Sequence, residues 1–142
     1  MELAVHEMVE SGEVIIRRRP RLPQDGLAVP LQLQIMESDQ LDGSRVAMNG
    51  NNRIINGVEF NIIGKRTAYW MFENHPGSLL PGVSLIGSLQ SKAVPADEII
   101  HLYRKERAQV RGTPWGSAVI RSLGDLEDYT IAEIIRKTGR AL

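Results

Sequence analysis

The chain has 142 residues and no cysteine. That excludes disulfides and cysteine-ligated zinc sites, and it is compatible with a reducing cytoplasm. Neither sign of charge is in excess: 17 Lys and Arg stand against 17 Asp and Glu, for a formal net charge of zero. A dedicated nucleic-acid binder usually carries a clear basic surplus, so only a local basic patch is open to this chain. No apolar run approaches the roughly 20 residues needed to span a bilayer. Met1 to Glu10 contains three Glu and no Lys or Arg. The positive start of a signal peptide is therefore missing, and a cytoplasmic address is expected.

The patterns of chemistry are missing too. His6, His75 and His101 lie far apart, without the paired-histidine spacing of a metal-binding helix. There is no glycine-rich phosphate loop, no Gly-x-Ser-x-Gly and no Ser/His/Asp order. Asp97 and Glu98 adjoin, but directly after Pro95 they fit carboxylates at the amide end of a helical turn that begins with proline. His101 alternates within a strand-like run and reads as a packed or hydrogen-bonded residue. No metal, cofactor or enzymatic activity is expected.

What is present is a core: 42% of residues are apolar, enough for one ordinary domain. Residues 2–10 read as a short helix or helix end, stopping near Gly12. Glu13 to Arg19 is rich in β-branched residues and stopped by Pro20, which reads as a strand. Leu31 to Met36 alternates with period two and predicts a strand with Leu31, Leu33 and Ile35 on the core face. Residues 37–53 read as a polar, turn-rich connection. Val58 to Asn61 and Ala68 to Phe72 predict a hairpin around a short glycine-containing turn. Its aromatics Tyr69, Trp70 and Phe72 are expected to fill the core rather than to stack on bases. A short strand is expected at Val83 to Leu89, and a further one at Ile99 to Tyr103.

The end of the chain predicts one uninterrupted helix from Thr113 to at least Arg136. Thr113 sits at the cap and Pro114 at the first helical position, and Trp115 is expected to close the helix start against the core. At 1.5 Å per residue, residues 114–138 would span about 37 Å. A small β-domain covers one side of such a rod. Trp115, Val119, Leu123 and Leu126 form one apolar stripe, and Ile120, Ile131, Ile134 and Ile135 lean towards another, which predicts an interface along the helix.

Taken in order, Val94-Pro95-Ala96-Asp97-Glu98-Ile99-Ile100-His101, the arginine-bearing loop Arg104 to Arg107, Arg111-Gly112-Thr113-Pro114-Trp115, and Asp125 with Tyr129 form a set. With Gly57-Val58-Glu59-Phe60, Gly64-Lys65-Arg66 and Ala68-Tyr69-Trp70, this set resembles the middle of a lambda-type tailed-phage portal protein. The likeness covers most of the chain from about Gly12 onwards. Portal subunits of this type are several times longer, so the chain is expected to be an internal piece: the wing region and the start of the stem helix. The resemblance implies a homo-oligomeric, dodecameric ring at one capsid vertex. Double-stranded DNA passes non-specifically through such a ring, and terminase, capsid and head-completion proteins dock on it. It also implies assembly in the host cytoplasm and residence in the virion, with no membrane partner.

The fold expected is α+β. Residues 1–12 end a helix. Residues 13–112 form a small twisted antiparallel β barrel or sandwich of five or six strands, SH3-like in one form. Residues 113–142 form the long C-terminal helix. Two basic runs remain, Arg17-Arg18-Arg19 with Arg21, and Arg104, Lys105, Arg107 and Arg111. Either is open to DNA phosphate, but balanced net charge favours solvated loops or pairing with acids of a neighbouring subunit. The rival to a portal subunit is a stand-alone β-barrel module that binds peptide or nucleic acid. A monomer with a conspicuous groove would favour that rival.

Overall fold

The computed structural model describes residues 2–76 and 90–139. The strand expected at Val83 to Leu89 lies outside the described residues. Helix α1 spans Glu2–Glu10, and strand β1 runs from Glu13–Pro20. β2 (Leu31–Met36) and the late strand β8 (Ile99–Tyr103) pair antiparallel on either side of β1, giving a three-stranded sheet in the order β2-β1-β8. A second sheet is an antiparallel meander: β3 (Ala47–Asn49), β4 (Asn52–Ile55), β5 (Val58–Phe60), β6 (Arg66–Met71) and β7 (Lys92–Pro95). The architecture is thus α+β, as expected, but among the described residues the two sheets stay separate and no barrel closes.

The core lies between the sheets. Ile15, Met36 and Ile99 come from the first; Val58, Tyr69, Met71 and Val94 come from the second. Leu41 joins them through an isolated antiparallel bridge to Met71. The expected core face of β2 is corrected here. Ile15 lies opposite Met36, while Ile16, Arg18 and Pro20 lie opposite Ile35, Leu33 and Leu31. Directly opposed residues share a face, so Leu31, Leu33 and Ile35 belong to the outer one, and Leu33 is 57% exposed. Alternation marks two faces but does not say which meets the other sheet. Here both are apolar, because Ile16, Ile100 and Leu102 also lie on the outer side.

The turn-rich stretch 37–53 contains β3 and the start of β4, which composition concealed. The turn between β4 and β5 is Asn56-Gly57, with φ of 49° and 80°. Two residues of positive φ make the type I′ geometry that matches the twist of paired strands. Gly57 is further fixed by crowding, since a Cβ there would stand 2.6 Å from the Asp42 carbonyl oxygen.

After β7 the chain crosses to the first sheet through a single 3-10 turn, Ala96–Glu98. Pro95 caps this turn instead of opening it. Glu98 faces away from the turn amides and accepts from Arg17 Nε at 3.1 Å and Nη2 at 2.9 Å.

The long helix also departs from expectation. Pro114 is extended (ψ 136°), and no cap bond forms there. A 3-10 turn at Trp115–Ala118 follows, Val119 interrupts it, and α2 runs from Ile120–Gly139. Gly116 and Ser117 are weak helix formers, and their tighter i→i+3 bonds delay the α-helical ladder, which Leu123 N–H opens by donating to the Val119 carbonyl at 3.0 Å. Trp115 is 59% exposed and does not close against the core.

Candidate assembly interface

The point where the chain enters and leaves the β-domain is built around one carboxylate. Glu13 opens β1 and its side chain is 2% exposed. Its Oε2 lies 2.8 Å from His101 Nε2 and accepts the Gly112 N–H at 2.8 Å. Its Oε1 accepts from Arg111 Nε, while Arg111 Nη2 donates to the Ser38 carbonyl at 3.0 Å. Burial alone would raise the Glu13 pKa; hydrogen bonds from His101, Arg111 and Gly112, with the Arg111 charge, outweigh it and hold the carboxyl below its ordinary range. Tyr69 meets the His101 ring edge-on at 5.6 Å, and Tyr103 lies 4.6 Å away. With donors from His101, Arg111 and Gly112 directed at an ionised, enclosed carboxylate, the cluster is a clamp.

Two glycines permit that clamp. A Cβ on Gly12 (φ 80°) would sit 2.1 Å from the Thr113 carbonyl carbon, and one on Gly112 would sit 2.2 Å from the Gly12 carbonyl oxygen. The backbones leading from α1 and towards α2 therefore touch directly. Both helices depart from one side of the domain, and that junction is tied to β1, β8 and the Ser38 turn.

A second enclosed acid, Glu59, lies on the outer face of the five-stranded sheet. It accepts from Asn52 Nδ2 at 2.7 Å, from Trp70 Nε1 at 3.0 Å and from Asn49 Nδ2 at 3.2 Å. Burial raises its pKa, but these bonds and the Arg45 charge lower it overall. The Arg45 guanidinium stands 3.6 Å over the Trp70 ring. That ring is thus occupied and offers no stacking platform, whereas Tyr69 is a core residue.

The residues singled out from sequence separate into two groups. Arg111, read as part of a surface cluster, is half-buried and belongs to the Glu13 clamp. Arg104 is exposed and pairs with Glu106 at 3.4 Å; Lys105 and Arg107 are exposed. On α2, Ile120, Leu123, Leu126, Tyr129, Ile131, Ile134 and Ile135 all face solvent, from 49% exposed at Ile131 to 66% at Ile135. No helix of the described residues is long and apolar enough to cross a membrane.

Two helices thus leave one junction, and one of them carries exposed apolar stripes. The family model for phage portal proteins of the lambda family matches residues 1–142. The chain belongs to that family. A "Probable portal protein" of Halomonas phage phiHAP-1 is 33% identical over 138 residues, covering 95% of this chain and 25% of the relative. The chain therefore spans about a quarter of that protein's length. Membership gives the fold a structural, phage-assembly context. Among the described residues no group of three or more His, Cys, Asp and Glu is arranged to hold a metal.

Arg53 and Arg66 face the loop after β8; Arg66 was singled out only within the Gly64-Lys65-Arg66 motif, and Arg53 not at all. Arg53 lies in β4, the strand hidden by its polar neighbours. The Asn56-Gly57 pair was the signal that would have exposed it.

Proposed function

We propose that this chain forms the wing-like β-domain and the first part of the stem-like helix of a portal ring, the head-tail connector through which phage DNA is packaged and ejected. The observation that carries this reading is α2. Its 20 residues extend about 30 Å at 1.5 Å per residue, and none of its side chains is buried. Helices of this kind derive their stability from packing of an apolar face, so α2 requires neighbours. In a ring these are equivalent helices of adjacent subunits and other segments of the same subunit.

On this reading the protein has no catalytic role. It is assembled in the host cytoplasm and resides at the capsid vertex, with terminase and head-completion proteins as docking partners and double-stranded DNA as a non-specific occupant of the channel. The exposed Arg104, Lys105 and Arg107 serve subunit contacts in preference to DNA, since the chain's charge is balanced. Native mass spectrometry and negative-stain microscopy of the full gene product test the proposal. A closed ring of identical subunits is expected, and a monomer across the micromolar range refutes it.

A further inference from the structure

The charges of the described residues are not matched within one copy. Arg53 and Lys105 are exposed and make no ion pair or side-chain hydrogen bond among the described residues. Arg66 is satisfied by phenols, donating to Tyr69 Oη at 3.1 Å and to Tyr103 Oη at 2.6 Å. All three line one cleft of about 340 Å³ between β4, β5 and the loop after β8. Ile55, Phe60 and Val110 form its apolar walls, and no carboxylate lines it. Three cations without an anion in a recess define a site for a negative group.

The walls decide between anions. Duplex DNA presents its phosphates on a solvated rod, best met by protruding cations. A recess with apolar walls suits a carboxylate beside aliphatic side chains. The same chain supplies such a surface. Asp125, Glu127 and Asp128 on α2 have no hydrogen-bond or ion-pair partner among the described residues. Several other acids do: Glu133 is held by Arg136, Glu10 by His6, and Glu7 by Ser11. Asp125 and Asp128, three residues apart, lie on one helix face, between the exposed Leu123, Leu126 and Ile131.

We propose that the cleft of Arg53, Arg66 and Lys105 receives the Asp125–Asp128 segment of a second copy of this chain. Two different surfaces of one chain then meet head to tail, which is the contact type that closes a ring. The assignment rests on the ring reading above.

Complementary charge reversal in the full gene product tests it. One variant carries Arg53→Glu and Lys105→Glu, the other Asp125→Lys and Asp128→Lys. All four side chains are exposed, so circular dichroism and thermal midpoint should match the parent. Sedimentation should show self-association of each variant weakened at least tenfold, and an equimolar mixture should restore it as alternating rings. A parent that assembles while both variants assemble equally well overturns the contact alone. So does a cleft variant that assembles normally but loses DNA retention, which would make phosphate the occupant. A parent that stays monomeric overturns the ring reading and this contact together.

Discussion

Glu13→Gln removes one charge from the junction and leaves its shape. The carboxylate accepts from His101, Arg111 and the Gly112 amide while 2% exposed. A glutamine keeps one acceptor and places an amide N–H against a cluster made wholly of donors. Hydrogen bonds to charged groups contribute about 1.5–3 kcal/mol each, and breaking a buried pair by removing one partner costs about 3–5 kcal/mol. Arg111 is partly solvated and recovers some hydration, which places the expected loss near the lower figure, about 3 kcal/mol. With a urea slope of about 1–3 kcal/mol/M for a small domain, the unfolding midpoint should fall by roughly 1–3 M.

The pH dependence carries a definite sign. The folded pKa of Glu13 lies below its ordinary value of 4.5, so its stabilisation is fully present above that value and disappears as pH falls through the folded pKa. The gap between parent and Glu13→Gln should therefore be widest near neutrality and close in acid. Urea titrations at pH 7 and pH 3 decide the matter. A variant within about 0.5 kcal/mol of the parent at pH 7, the range of ordinary surface changes, would show that the cluster is not the clamp inferred from its geometry.

Gly112→Ala should destabilise the domain by more than the 1–3 kcal/mol typical of an overpacked site, because its Cβ would stand 2.2 Å from the Gly12 carbonyl oxygen; thermal unfolding reads this directly. Trp115→Ala should change isolated-chain stability by less than about 0.5 kcal/mol, as for exposed positions generally, yet lower the yield of assembled rings if the side chain is covered there; calorimetry and sedimentation separate the two. Replacing Ile134 and Ile135 by Ser should make the chain more soluble and weaken self-association, since burial of each Ile is worth about 1.5–3 kcal/mol. Sedimentation at several concentrations checks it, and unchanged association would remove that stripe from the interface.

The elements that sequence made legible are those whose limits are set by local chemistry. Gly12 ends α1 at the place expected. Pro20 ends β1, and Ile99 to Tyr103 forms β8 with the anticipated boundaries. Errors arose where a local pattern admits two tertiary outcomes. The alternation in β2 is real, but the sheet is apolar on both sides, and its register with Ile15 chooses Met36 for the core. Pro114 is equally compatible with a helix start and with the extended residue before one, and the weak formers Gly116 and Ser117 favour the second. The asparagines of 49–52 suggest a loop, yet Asn49 and Asn52 are strand ends whose amides satisfy Glu59. The Glu13 clamp could not be read at all. Its members lie 88 residues apart from Glu13 to His101 and 98 from Glu13 to Arg111, a separation that no local pattern spans.

Those same distances bear on how the β-domain and its helices work together. The clamp joins the first residue of β1 to the last residues before α2, so both helices leave from a point whose geometry is set by long-range contacts of the folded domain. Among the described residues α2 itself has no such support, and none of its side chains is buried. Most helical stability in proteins comes from packing of an apolar face, and α2 includes Gly124 and two threonines whose hydroxyls bond back to the Leu126 and Ile134 carbonyls, an arrangement that slightly weakens a helix. A rigid base carrying a rod that depends on its neighbours separates two tasks. On the proposed ring reading, the domain fixes the direction of exit, while the helix gains its stability from association. Polar residues at Asp125, Glu127 and Asp128 interrupt the apolar stripes, so that in the proposed ring partners would be selected by charge as well as by hydrophobic burial. Exposed apolar surface alone would favour aggregation in any register; exposed surface divided by unpaired acids, on a chain that also bears an unpaired cationic cleft, favours one register over the others.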